Sequence, residues 1–119
     1  MAKVLAVDDS ESIRRMVELT LEDENHDVTL AEDGTVALSY AKSDRFDLVI
    51  TDINMPTMGG FELIRHLRAL PTYKLIPILC LTTESSSDQK EKGRAAGATG
   101  WIVKPFSAEK LINIINRVL

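Results

Sequence analysis

The sequence predicts an α/β protein, a three-layer doubly wound (βα)5 sandwich built on one parallel sheet. Two observations carry that reading. Short apolar runs alternate along the chain with segments whose apolar residues recur at helical spacing, the pattern of successive βαβ units. Four of the runs also stop at residues suited to phosphate or metal chemistry. Residues 3–7 stop at Asp8-Asp9, residues 46–51 at Asp52, residues 76–81 at Thr82, and Trp101-Ile102-Val103 at Lys104-Pro105. Strands of an open parallel sheet bring their carboxyl ends to one edge, and ligands bind in the crevice there.

Each element has its own signal. After the first strand, Ser10 or Ser12 can cap a helix over about 12–23, with Ile13, Met16, Val17, Thr20 and Leu21 on one face. It ends in the acidic Glu22-Asp23-Glu24, which opposes the helix dipole. Residues 27–31 alternate like a strand. Asp33-Gly34 then turns into a helix over about 35–42, expected to bury Val36, Ala37 and Tyr40. The third strand ends at Asp52 and a loop follows, in which Pro56 keeps Met55 extended and Gly59-Gly60 allow positive φ. Met55 and Met58 belong to that loop. Phe61, Ile64, Leu67 and Leu70 mark a third helix, ended by Pro71. The fourth, over about 87–96, has almost no apolar stripe and is expected to dock weakly and to be mobile. Gly97 and Gly100 lead to the fifth strand. Ser107 caps the last helix, which offers Leu111, Ile112, Ile114, Ile115 and Val118 to the core.

The 119 residues fit one domain, 1–119, and 45% hydrophobic with 27% charged residues is a globular balance. A net charge of -4, without a basic run, argues against nucleic acid and anionic membranes. No apolar stretch nears the length that spans a bilayer, and no leader precedes the first strand, so a cytoplasmic location is expected. The single Cys80 lies inside an apolar run and reads as a buried structural thiol. His26 and His66 are isolated, without metal-ligand spacing, and read as solvated surface residues.

Asp8, Asp9 and Asp52 at one sheet edge would repel one another unless a cation neutralises them. Oxygen ligands beside a phosphate partner suit Mg²⁺, or Mn²⁺ in its place. The recurrence of Thr82 and Lys104 at the same topological position argues against mere helix capping by these acids.

Together the acidic pair Asp8-Asp9, the segment 52–60 (Asp-Ile-Asn-Met-Pro-Thr-Met-Gly-Gly), Thr82 and Lys104-Pro105-Phe106 resemble the receiver domain of bacterial two-component response regulators. The resemblance spans the whole chain and is strongest to single-domain regulators of chemotaxis. It implies a flavodoxin-like sheet of order 2-1-3-4-5, which periodicity alone does not give. It implies a phosphoprotein switch, not an enzyme beyond its own phosphorylation and dephosphorylation. Asp52 would accept a phosphoryl group from a histidine kinase. Asp9, Asp52 and the Asn54 carbonyl would ligate Mg²⁺, with Asp8 acting through water. Lys104, after a cis bond to Pro105, would contact Asp52 and then the phosphoryl group, and Thr82 would move to bond it. Trp101, where tyrosine or phenylalanine is usual, would be the switch aromatic, and Thr83 adds bulk beside it. Asn54 and Glu84 would tune phosphoryl lifetime. The implied readout face combines the fourth helix, fifth strand and last helix. The implied partners are the sensor kinase, a downstream target such as a flagellar motor switch, and a phosphatase.

Two alternatives share parts of this pattern. A phosphorelay intermediate, passing phosphate to a histidine phosphotransfer protein, would use the same residues. An aspartate-nucleophile phosphohydrolase of the haloacid dehalogenase type shares only Asp52-Ile53-Asn54, and this chain is short for a cap. A Rossmann nucleotide binder is disfavoured because no Gly-x-Gly-x-x-Gly follows the first strand.

Overall fold

A computed structural model describes residues 1–83 and 86–119. Its elements run β1 (Lys3–Val7), α1 (Glu11–Asp23), β2 (Asp27–Ala31), α2 (Gly34–Ser43), β3 (Leu48–Asp52), α3 (Gly60–Ala69), a 3₁₀ turn (Pro71–Tyr73), β4 (Ile78–Thr82), α4 (Ser87–Ala96), β5 (Gly100–Val103) and α5 (Ala108–Val118). The five strands form one parallel sheet in the order β2-β1-β3-β4-β5. This is the anticipated doubly wound order.

Alternate strand residues feed two cores. Leu5, Val7, Val49, Ile78 and Cys80 face one side, where Ala37, Ala41, Leu63, Ile64, Leu67 and Ala96 of α2, α3 and α4 pack. Val4, Ala6, Leu48, Ile50, Leu79, Leu81 and Ile102 face the other, against Val17 and Leu21 of α1 and Leu111 and Ile115 of α5. A sheet covered on both faces explains why its strands read as continuous apolar runs. The Cys80 thiol is enclosed, and burial pushes its pKa up to about 12.

Capping fixes the helix starts. Ser10 accepts from the Ile13 N–H, Asp33 from Val36, Ser86 from Gln89 and Ser107 from Lys110. Each such cap contributes about 1 kcal/mol. The α4 helix buries only Gly93 and Ala96, in keeping with its missing stripe.

Three local expectations are corrected. Tyr40 is 41% exposed, because α2 turns its small residues Gly34, Ala37 and Ala41 inward and leaves no room for a ring. A Cβ on Gly34 would lie 2.7 Å from the Met58 carbonyl oxygen, so α2 sits hard against the loop after β3. In that loop the positive φ falls on Thr57 (69°), not on the glycines. The Met58 N–H donates to the Pro56 carbonyl across it at 2.7 Å, closing a γ-turn. His26 is half-buried, and its Nδ1 accepts the Ala2 N–H at 3.0 Å. His66 is exposed, as anticipated.

Two anchors had no periodic signal. The buried Tyr73 hydroxyl lies 2.8 Å from both the Ala41 and Asp44 carbonyls, tying the turn after α3 to the end of α2. The Arg68 guanidinium donates to the carbonyls of Tyr73, Ile76 and Gly97, joining the end of α3 to the approaches of β4 and β5.

Candidate functional site

Register assembles the site. Val7 pairs with Thr51, so Asp8 and Asp52, each one residue further, come abreast at the carboxyl edge. Asp52 pairs with Leu81, which places Thr82 next on β4, and Thr82 pairs with Val103, which places Lys104 just beyond β5. Ligand oxygens of Asp8, Asp9 and Asp52 all lie within 4.8 Å of one another. Asp8, Asp52 and Thr82 are buried, while Asp9 is exposed.

Asp8 is held on every side. Its N–H donates to the Ala31 carbonyl at 3.1 Å, its Oδ1 accepts the Ser10 N–H at 2.9 Å, and its carbonyl accepts from Arg14 Nη1 at 2.7 Å. Its Oδ2 is buried without a well-aligned hydrogen bond, although Lys104 Nζ lies 2.7 Å away. Arg14, six residues past Asp8 on the half-buried flank of α1, was not anticipated as part of the site.

Asp52 is less well compensated. Its Oδ1 accepts the Ile53 N–H at 2.8 Å, and Lys104 Nζ is 3.4 Å away. Lys104 therefore reaches Asp52 as expected but sits closer to Asp8. Burial, and then the neighbouring Asp8 charge, raise the Asp52 pKa to about 6, against the pull of Lys104 and the Ile53 N–H. Gly60 lies directly on the Asp52 backbone: a Cβ there would be 2.2 Å from the Asp52 carbonyl oxygen. That close approach, rather than positive φ, is what requires a glycine. The Lys104-Pro105 bond is cis.

Asn54 is exposed in the loop after β3, and Thr83 is exposed after β4. Trp101 is half-buried, its ring centroid 6.4 Å from that of Phe61 on α3. Its Cζ3 would be 2.8 Å from a Cβ on Gly93, so the indole occupies a notch in α4 that exists because residue 93 has no side chain. Glu84 lies outside the described residues.

The pocket suits a small divalent cation. Three carboxylates each bring a hard oxygen donor within 4.8 Å of the others, and the carboxylates outnumber the ammonium. No described helix is long and apolar enough to cross a membrane.

Comparison with known proteins agrees with this geometry. The sequence profile of the family described as the response regulator receiver domain matches residues 4–116. The chemotaxis protein CheY of Pseudomonas aeruginosa is 40% identical over 117 residues, covering 98% of this chain and 94% of that protein. The response regulator ArlR of Staphylococcus saprophyticus is 38% identical over 119 residues, but the chain spans only 53% of its length. Among solved structures, the chemotaxis response regulator CheY4 of Vibrio cholerae superposes with a TM-score of 0.97 at 55% identity, covering 100% of this chain and 99% of that one.

Proposed function

Because the chain belongs to the response regulator receiver domain family, a family of phosphorylation-activated switches, we propose that Asp52 is its phosphoacceptor and that it acts in chemotaxis. The convergence of Asp8, Asp9 and Asp52 on one sheet edge, with Lys104 beside them, carries this reading. The chemotaxis assignment draws on CheY relatives matched over nearly their whole length.

An oxygen of the Asp52 carboxylate attacks the phosphorus of a kinase phosphohistidine. The new O–P bond forms as the P–N bond breaks, and the electron pair leaves with the imidazole nitrogen. Lys104, already between Asp8 and Asp52, pairs with a phosphoryl oxygen, and the Thr82 hydroxyl bonds another. Asp9, Asp52 and the Asn54 carbonyl, with Asp8 acting through water, would hold Mg²⁺, or Mn²⁺ in its place. When bound, the ion would offset charge on the transferring phosphoryl group. Asn54 and Glu84 orient the water that later hydrolyses the acyl phosphate, which makes the phosphoprotein short-lived. Trp101 carries the change to the face formed by α4, β5 and α5. The partners are a sensor histidine kinase, a downstream target such as a flagellar motor switch, and a phosphatase, all met in the cytoplasm.

The test is intact mass after incubation with MgCl2 and acetyl phosphate. One phosphoryl adduct on the wild type, lost in Asp52→Asn and with chelator, is expected. An unmodified wild type, or an adduct that survives Asp52→Asn, would refute the assignment.

A further inference from the structure

We propose that Arg14 is a positioning residue for the metal, setting the direction of the Asp9 carboxylate through the Asp8 carbonyl. The inference rests on the reading of Asp8, Asp9 and Asp52 as a Mg²⁺ site.

Asp9 is the exposed member of the acid cluster, and among the described residues nothing hydrogen-bonds its carboxylate. Only its backbone then places the root of that side chain. The peptide unit from Asp8 to Asp9 is planar, so fixing the Asp8 carbonyl also fixes the Asp9 nitrogen and Cα in that plane. Arg14 Nη1 grips this carbonyl at 2.7 Å. Arg14 is itself fixed by α1, which is capped by Ser10 and rooted in the core through Val17 and Leu21. The Asp8 N–H and Oδ1 are bound elsewhere, to Ala31 and Ser10, so Arg14 controls the part of Asp8 that those bonds leave undetermined.

The same guanidinium brings a positive charge toward a site for a divalent cation. If charge alone mattered, removing Arg14 would tighten Mg²⁺ binding. If positioning dominates, removing it weakens binding, because the Asp9 carboxylate must then be ordered at the moment of binding. The two effects have opposite signs, and one measurement separates them.

Isothermal titration with MgCl2 is carried out on the wild type, Arg14→Met and Arg14→Lys, with urea unfolding in EDTA as a check on the fold. Loss of a group that orients a metal ligand weakens affinity by roughly 10–100-fold. Arg14→Met should bind Mg²⁺ at least about tenfold more weakly than the wild type on that scale, with an unchanged urea slope. Arg14→Lys, which keeps the charge and one donor on a shorter reach, should fall between them. Equal or tighter binding by Arg14→Met overturns the proposal. If Arg14→Met does not fold, Arg14→Lys decides alone, and wild-type affinity in that variant overturns it. A wild type that binds no Mg²⁺ overturns the metal reading itself, a result distinguishable from failure of the Arg14 argument.

Discussion

Removing the charge of Asp52 should stabilise the metal-free protein. Burial and the adjacent Asp8 carboxylate raise the Asp52 pKa to about 6, with Lys104 and the Ile53 N–H only partly opposing them. In the unfolded chain an aspartate titrates near 3.9. Between roughly pH 4 and pH 6 the native state therefore holds more protons than the unfolded state, and stability falls as pH rises through that window. Above pH 6 the penalty is complete. Two units at 1.36 kcal/mol each give about 3 kcal/mol, of which Asp52→Asn should recover roughly 2–3 kcal/mol at pH 7.5 in EDTA. The amide keeps the carboxylate's shape and can still accept the Ile53 N–H.

The assay is urea unfolding followed through Trp101, the only tryptophan, with both proteins taken from pH 4 to pH 8. The difference in ΔG reports the Asp52 charge together with its interaction with Asp8. It should be near zero at pH 4, rise through pH 5 and level off above pH 6. MgCl2 should narrow the gap at pH 7.5, because the cation stabilises the wild type by mass action and Asp52→Asn has lost a ligand. A pH-independent difference, or an Asp52→Asn protein less stable than the wild type at pH 7.5, would refute the reasoning.

Three further predictions concern contacts around the site. Gly60→Ala places a methyl 2.2 Å from the Asp52 carbonyl oxygen, a backbone atom with little freedom to retreat. It should cost about 1–3 kcal/mol in urea unfolding and slow phosphoryl uptake from acetyl phosphate in the mass assay. Gly93→Ala closes the notch that holds Trp101, so tryptophan emission should shift to the red. Alanine's helix preference, worth about 1 kcal/mol, should hold the net stability change to within about 1 kcal/mol. Tyr73→Phe leaves the Ala41 and Asp44 carbonyls without their shared hydroxyl and should lower stability by about 1–3 kcal/mol with the Mg²⁺ affinity unchanged.

What the sequence disclosed follows from how each feature is encoded. Asp8, Asp52, Thr82 and Lys104 were legible because each interrupts an apolar run where its strand ends, and parallel register then assembles them without further information. The caps at Ser10 and Ser107 were legible because capping is local. Tyr40 was misplaced because Val36, Ala37 and Tyr40 lie near enough in angle to share a face. The choice among them depends on how closely α2 approaches Met58, and that is tertiary. His26 and Tyr73 escaped because their partners are backbone groups of segments remote in sequence, as is the Gly97 carbonyl among the partners of Arg68. Arg14 escaped for a different reason. Its partner is only six residues away, but a carbonyl as acceptor carries no residue-type signature.

The charge count at the sheet edge links the metal to the switch. Asp8, Asp9 and Asp52 contribute three negative charges and Lys104 one positive, and Arg14 adds a positive charge at the Asp8 carbonyl, so the ionised pocket is negative on balance. A divalent cation would offset that excess and lower the Asp52 pKa. On the proposed reading, phosphorylation replaces the single charge of Asp52 with an acyl phosphate of about −1.5 to −2. The cation and Lys104 then no longer suffice, and the pocket is left in deficit of positive charge and of hydrogen-bond donors. Thr82 ends the strand that pairs with β3 at Asp52, and its hydroxyl is buried at the same edge. On that reading the deficit would recruit it. Because Thr82 pairs with Val103, two residues beyond Trp101 on β5, movement at the end of β4 would then reach the strand whose indole sits in the α4 notch.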